Sequence, residues 1–104
     1  MQFIKELKIK IISGKKTQTR RIKCPYKVGQ LITAQNGYRD KAFGKLLIKR
    51  IRIQHLSEIT ESDAKKEGFK NRSEFIDAWK RINGTYRPRK LVYVIDFKFI
   101  RRKI

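Results

Sequence analysis

The segment Leu91–Ile100 constrains the fold most strongly, because it is the clearest β-strand in the chain. Aromatic and aliphatic residues alternate along one of its faces: Tyr93, Ile95, Phe97 and Phe99. Val92 and Val94 give the opposite face apolar character as well. Alternation with a period of two is typical of a strand. We therefore expect a β-sheet that contains this segment.

Three further segments are predicted to be extended: 17–22, 31–34 and 45–55. In the long strand 45–55, the pattern places Leu47, Ile51 and Ile53 on one face and Arg50 and Arg52 on the other. Cys24-Pro25-Tyr26 predicts a turn or a sheet edge, because proline donates no ladder hydrogen bond. Asn36-Gly37 predicts a turn.

Segment 3–12 is compatible with two structures. Leu7, Ile9 and Ile11 alternate with lysines, which favours a strand. Ile4, Leu7 and Ile11 also share one face of a helix, and Gly14 would then terminate that helix. The sequence leaves both alternatives open.

Two helices are predicted in the second half of the chain. The first begins at the capping-box pattern Thr60–Asp63 and ends at Gly68. The second is capped by Asn71 or Ser73 and ends at Asn83-Gly84. Its apolar face consists of Phe75, Ile76, Trp79 and Ile82. A basic loop, 84–90, leads from this helix to the last strand.

These elements predict one α+β domain spanning residues 1–104, with two or three helices around a small β-barrel. We expect about five or six strands, which in so small a domain tend to curl into a barrel and so remove exposed edges. A chain of this size buries roughly two thirds of its unfolded surface, which suffices for a core without disulfides. The single cysteine, Cys24, excludes an intrachain disulfide and a thiolate metal cluster.

The sequence shows no sign of a metal, a cofactor or a membrane. His55 is the only histidine, so it has no partner with which to complete a metal site. We expect it to be a structural or surface residue. No apolar run approaches the roughly 18 residues of a membrane span, and the N-terminus lacks a signal-peptide pattern. We expect a cytoplasmic monomer.

The net charge points to an anionic partner. The chain has 28 Lys+Arg against 9 Asp+Glu, a formal charge of +19 over 104 residues. Such a balance makes nucleic acid the first candidate partner, RNA before DNA. A membrane surface is less favoured, because no basic amphipathic helix with an aromatic face is present. Many cations alternate with apolar residues on strands, so part of the charge is simply a solvated face.

The run Gly14-Lys15-Lys16-Thr17-Gln18-Thr19-Arg20-Arg21 concentrates the polar chemistry. Four cations and two threonine hydroxyls follow a glycine that allows a sharp turn. Cations and hydroxyls at this density suit phosphate recognition. Loop aromatics beside cations suit stacking on unpaired bases, which singles out Tyr26, Tyr38 and Tyr86. Trp79 instead belongs to the helix core face.

In order along the chain, these elements resemble the ASCH domain family, whose barrel is related to the PUA domain. The resemblance begins with the spacing G-x-K-T-x-T-x-R and continues through Tyr26-Lys27-Val28-Gly29-Gln30. It extends through Leu56-Ser57-Glu58-Ile59-Thr60-Glu61-Ser62-Asp63-Ala64-Lys65-Lys66-Glu67-Gly68-Phe69 to the closing strand. The chain departs from the family at Gln30, where many members carry an acid, and in its high charge.

The resemblance implies three alternative functions. The family is thought to bind RNA in a cleft lined by the glycine-lysine-threonine segment. Some bacterial members are amidohydrolases that remove the acetyl group from acetylated cytidine, with a lysine, a threonine and a glutamate that correspond to Lys16, Thr19 and Glu67. Other members are reported to be ribonucleases, which is a third alternative here. No histidine pair supplies the acid and base that such a reaction needs.

Amide hydrolysis is chemically plausible for these three residues. Thr19 would attack, Lys16 would take its proton, and Glu67 would protonate the leaving amine. A free lysine has a pKa of about 10.4, so burial or neighbouring cations must lower it. Glu67 is expected in the last turn of a short helix, where the helix dipole disfavours an anion.

We predict nucleic-acid binding, most directly of RNA, as the main function, and hydrolysis of a modified nucleoside as the alternative. The predicted nucleic-acid contacts are Lys15, Lys16, Arg20, Arg21, Lys23, Tyr26, Arg39, Lys41, Tyr86, Arg87, Arg89 and Lys90.

Overall fold

The computed structural model describes residues 1–37 and 39–101. Tyr38, which the sequence singled out for base stacking, and residues 102–104 lie outside the described residues. The elements follow one another in the order α1 (Lys5–Ile12), β1 (Gln18–Arg21), β2 (Leu31–Ala34), β3 (Gly44–His55), a 3-10 turn (Leu56–Glu58), α2 (Glu61–Lys66), α3 (Arg72–Asn83) and β4 (Leu91–Ile100).

The four strands form one antiparallel sheet in the order β1-β4-β3-β2. The sheet curls into a half-barrel. Strand β4 lies between β1 and β3 and is buried on both faces, since Val92, Val94, Ile95 and Phe97 are each at most 3% exposed. This explains the apolar residues on both faces of its sequence.

A β-bulge between Ile48 and Arg50 determines which residues of β3 face the core. Before the bulge, Leu46 and Ile48 pair with Phe99 and Phe97; after it, Ile51 pairs with Ile95. The extra residue changes the phase of the alternation. The prediction that Leu47 shares a face with Ile51 is therefore wrong: Leu46 and Ile48 are the buried residues.

Two apolar clusters hold the sheet from opposite sides. In the first cluster, Leu7 and Ile11 of α1 pack with Ile95 and Phe97 of β4 and with residues of β2 and β3. In the second, Phe75 and Trp79 of α3 pack with Val92 of β4 and with Leu56 of the 3-10 turn. Segment 3–12 therefore resolves as a helix, because the i, i+4 pair Leu7 and Ile11 is buried together.

Both predicted helix starts are confirmed. Thr60 and Asp63 form a reciprocal capping box at α2. Asn71, rather than Ser73, caps α3 by accepting a hydrogen bond from the backbone N–H of Glu74. Ile82, on the same predicted apolar face, is 58% exposed instead of buried.

The number of strands is lower than predicted: residues 1–37 and 39–101 contain four strands instead of five or six. Segment 3–12 is helical, and Cys24–Tyr26 forms no strand. The N-terminus adds only an isolated bridge between Gln2 and Gln35. In the described part of the chain, no helix is long and apolar enough to cross a membrane.

Candidate functional site

A cavity of about 370 Å³ opens beside β1, between the N-terminal segment and α3. Much of its wall is apolar and aromatic: Phe3, Leu7, Phe69, Phe75 and Trp79. Polar and charged side chains from separate parts of the chain complete it: Lys16, Thr19, Arg20, Arg21, Asn36, Glu67 and Asn83. An apolar cavity with a few convergent polar groups is typical of a small-molecule site.

Lys16 is a deeply buried cation of the cavity, with 2% of the residue exposed. Its ammonium donates hydrogen bonds to the backbone oxygens of Gln18 and Glu67, each at 2.8 Å, and to Oε1 of Glu67 at 3.0 Å. Burial lowers the pKa of Lys16 below its usual value, because desolvation penalises the ammonium more than the Glu67 carboxylate stabilises it. Arg21 and Arg20 lower it further.

The Glu67 carboxylate joins two buried cations. Its Oε1 accepts from Lys16, and its Oε2 accepts from Nη1 of Arg20 at 2.9 Å. Glu67 is the C-cap residue of α2, where the helix dipole disfavours a negative charge. The two cations offset that penalty and fix the carboxylate at the cavity wall.

Arg20 is held by side chains from three elements. Its Nε and Nη2 donate to Oε1 of Gln54 on β3 at 3.0 and 2.7 Å, and its Nη1 also donates to Oε1 of Gln18. Asp63 of α2 lies 3.4 Å from Nη2. Arg20 therefore ties α2 to the sheet and positions Glu67.

Buried Thr19 and half-buried Arg21 form a second polar pair in the cavity wall. The Thr19 hydroxyl accepts a hydrogen bond from Nε of Arg21 at 3.3 Å, and Nη2 of Arg21 donates to the backbone oxygen of Gln2 at 2.7 Å. The Arg21 guanidinium lies 5.0 Å from the centroid of the Phe3 ring, a cation–π distance. Burial lowers the pKa of Arg21.

The sequence that forms these elements matches a known family. A sequence model of the ASCH domain matches residues 1–101. The chain belongs to the ASCH domain family.

Two solved structures share this ASCH fold. One is the ASCH domain from Lactobacillus crispatus, with a TM-score of 0.78 and 17% identity; the match covers 90% of this chain and 70% of that one. The other is a protein from Enterococcus faecalis, with a TM-score of 0.70 and 18% identity over 92% of this chain and 71% of that one. At these identities the likeness shows the fold alone. Among curated proteins, none matches this ASCH domain by sequence.

The ASCH fold brings the predicted catalytic residues Lys16, Thr19 and Glu67 to one cavity. Within the described residues, the Lys16 ammonium makes its hydrogen bonds to Gln18 and Glu67 and none to Thr19. The Thr19 hydroxyl instead accepts its hydrogen bond from Arg21 and shares only the cavity wall with the lysine–glutamate pair.

The predicted nucleic-acid contacts divide into buried and exposed groups. Lys16 and Arg20 are buried, with their donors occupied by protein acceptors, and Arg21 is half-buried. Tyr26 and Tyr86 are half-buried and pack against the first and second apolar clusters. The remaining cations are exposed: Lys15, Lys23, Arg39, Lys41, Arg87, Arg89 and Lys90.

Several residues of the cavity wall were not singled out from the sequence. Phe3 and Asn36 line it, and Gln18, Gln54 and Asp63 hold Arg20 in place. The alternation of Gln18 and Arg20 along one short strand is a signal for a shared face. No sequence pattern links them to Gln54. Among residues 1–37 and 39–101, no group of histidine, cysteine and acidic side chains could hold a metal ion.

Proposed function

We propose that this ASCH domain binds single-stranded RNA and takes one unpaired nucleobase into the 370 Å³ cavity. The observation that carries the proposal is the cavity itself, in which aromatic walls surround fixed hydrogen-bonding groups. Unpaired bases are recognised by stacking on aromatic side chains and by hydrogen bonds to their edges. Phe3, Phe69 and Trp79 supply the apolar surface, and Thr19, Asn36 and Glu67 supply polar groups.

The charge of the protein supports the same partner. The formal charge of +19 favours association with a phosphate backbone. The side-chain donors of Lys16 and Arg20 are hydrogen-bonded to acceptors within the protein. We therefore assign the phosphate contacts to exposed cations around the cavity.

The proposal is tested by titrating the protein with a single-stranded RNA and with the duplex of the same sequence, using fluorescence anisotropy at several salt concentrations. We expect tighter binding of the single strand, because the bases of a duplex are stacked and cannot enter the cavity. If about five phosphates are contacted, the log–log slope of affinity against salt should be roughly −3.5. Equal affinity for both RNAs, or a flat salt response, would contradict the proposal.

A second candidate function is hydrolysis of an acylated nucleobase, such as acetylated cytidine. It is favoured by the meeting of Lys16, Thr19 and Glu67 at one cavity and by the lowered pKa of Lys16. In this reaction the Thr19 oxygen bonds to the acyl carbon while neutral Lys16 accepts its proton. Lys16 passes this proton over its 3.0 Å hydrogen bond to Glu67, and the carbon–nitrogen bond breaks as Glu67 delivers the proton to the leaving amine. Water then hydrolyses the acyl ester, which releases acetic acid and restores the Thr19 hydroxyl.

The catalytic candidate predicts a large difference between two neighbouring threonines. Thr19→Ala removes the attacking hydroxyl, so turnover of acetylated cytidine should fall by about a thousandfold or more. Thr17→Ala is the matched control, because Thr17 does not line the cavity, and it should retain activity. Release of cytidine, followed by chromatography, measures both. Equal activity of the two variants would rule out Thr19 as the nucleophile.

A further inference from the structure

We propose that a second, smaller cavity beside the first binds the phosphate next to the captured base, so that the ligand is a nucleotide within a strand rather than a free nucleoside. This inference rests on the proposed function. The second cavity measures about 180 Å³ and is lined by Ile22, Trp79, Asn83, Thr85, Arg87 and Lys90.

The two cavities adjoin each other. Ile22, Trp79 and Asn83 belong to the walls of both. A ligand that fills the larger cavity therefore reaches the smaller one by crossing a short wall formed by these three side chains. Ile22 is exposed and apolar, which suits contact with a ribose between the two cavities.

The chemistry of the smaller cavity is that of an anion site. Arg87 and Lys90 carry only hydrogen-bond donors, and Thr85 and Asn83 add neutral polar groups. Among the described residues, no acidic side chain lines the cavity. Within residues 1–37 and 39–101, neither Arg87 nor Lys90 takes part in a salt bridge. Both are exposed, so a phosphate oxygen can replace water on them at little cost.

The backbone holds these two cations together. The backbone N–H of Lys90 donates to the oxygen of Arg87 at 3.0 Å, which closes a turn with Pro88 at its second position. Two further hydrogen bonds connect the turn 87–90 to the 3-10 segment Leu56–Glu58. The backbone N–H of Leu56 donates to the oxygen of Lys90 at 2.8 Å, and that of Ser57 donates to the oxygen of Pro88 at 2.9 Å. Residues 87 and 90 stand at the two ends of the turn, where their α-carbons approach within about 7 Å.

The arrangement selects the class of ligand. With a base between the aromatic walls of the larger cavity, its ribose lies over Ile22 and Trp79 and its phosphodiester meets Arg87 and Lys90. A nucleoside fills the base and ribose positions but leaves Arg87 and Lys90 without a phosphate. The phosphate contact therefore favours a base presented by an RNA strand.

The experiment compares Arg87→Gln with Arg89→Gln. Both residues are exposed arginines of the same turn, but only Arg87 lines the cavity. The probes are the four nucleosides of RNA, their 5′- and 3′-monophosphates, and the dinucleotides UpU, CpC, ApA and GpG. Binding is followed by the fluorescence of Trp79, which is the only tryptophan and lies in both cavity walls.

Whichever of the four bases binds, we expect its dinucleotide to bind more tightly than its nucleoside. Arg87→Gln should reduce this preference by about tenfold, the value of one charge-assisted hydrogen bond, and leave the nucleoside affinity unchanged. Arg89→Gln should reduce it by less than about twofold.

Other results would overturn the inference in distinguishable ways. If Arg87→Gln and Arg89→Gln act alike while nucleosides and dinucleotides still bind, the phosphate subsite is wrong and the base cavity stands. Tighter binding of a monophosphate than of the dinucleotide would contradict the assignment to a strand. If long RNA binds but none of the short probes does, the base cavity itself fails, and the phosphate subsite fails with it.

Discussion

Replacement of Glu67 by glutamine should destabilise the protein by about 3–5 kcal/mol, the usual cost of breaking a buried ion pair from one side. The substitution keeps the shape of the side chain but removes the charge that faces Lys16 at 3.0 Å and Arg20 at 2.9 Å. Both cations are buried, so water cannot replace the lost carboxylate. Urea unfolding monitored by Trp79 fluorescence gives the change in the free energy of unfolding.

Glu6→Gln is the matched control for this substitution. Glu6 also faces a cation, Arg81, at 3.6 Å, but both side chains are more than half exposed. Such a pair contributes about 0–1 kcal/mol. A loss at Glu67 no larger than the loss at Glu6 would show that the buried network does not stabilise the fold.

A double variant tests the coupling between Lys16 and Glu67 directly. Lys16→Met together with Glu67→Gln removes one of the two uncompensated cations, so the double variant should be more stable than the sum of the single effects predicts. Additive losses would contradict a direct coupling between Lys16 and Glu67.

Replacement of Ile82 by glutamate should weaken binding of single-stranded RNA by about tenfold or more, an effect worth about 1.4 kcal/mol. Ile82 lines the larger cavity, yet its side chain is 58% exposed. The new carboxylate would lie at the entrance of the larger cavity without disturbing the core. Helix α3 should be retained, because glutamate is a good helix former. There it would repel the phosphates that flank a captured base. Anisotropy titration with a labelled single strand measures the change in Kd.

Val28→Glu separates the local effect from the change in net charge. Val28 is 62% exposed and lies outside both cavities, and its replacement lowers the net charge by the same one unit. We expect it to weaken binding by no more than about twofold, as a distant screened charge does. Equal losses in both variants would mean that RNA binds through overall charge rather than at the cavity.

The regular elements of this fold were largely predictable from local pattern. The alternation in Leu91–Ile100, the capping box at Thr60–Asp63 and the glycine after Asn83 each correspond to an observed boundary. These signals act within a few residues, so the sequence displays them directly.

Features that depend on distant packing were not predictable. The bulge after Ile48 changes the buried face of β3, and nothing in 45–55 marks the extra residue. Segment 3–12 fits a strand and a helix equally well until Leu7 and Ile11 meet the sheet. The sheet is a half-barrel of four strands in the described residues rather than the predicted barrel of five or six.

The candidate site was predicted in part. The proximity of Lys16, Thr19 and Glu67 followed from the family resemblance, and the structure brings all three to one cavity. The burial of Lys16 and Arg20 was not foreseen, because a sequence shows where charges occur and not which acceptors surround them. Trp79 was predicted to be a core residue; at 8% exposure it is one, and it also forms the wall shared by both cavities.

The most direct measurement of the central claim is the titration with single-stranded and duplex RNA observed at Trp79. The single indole Nε1–H gives one isolated NMR signal from the wall of the cavity. If a base enters, this signal should shift in proportion to the bound single strand, reach saturation, and move little with the duplex. If RNA binds by anisotropy while the indole signal stays in place, the cavity does not receive a base.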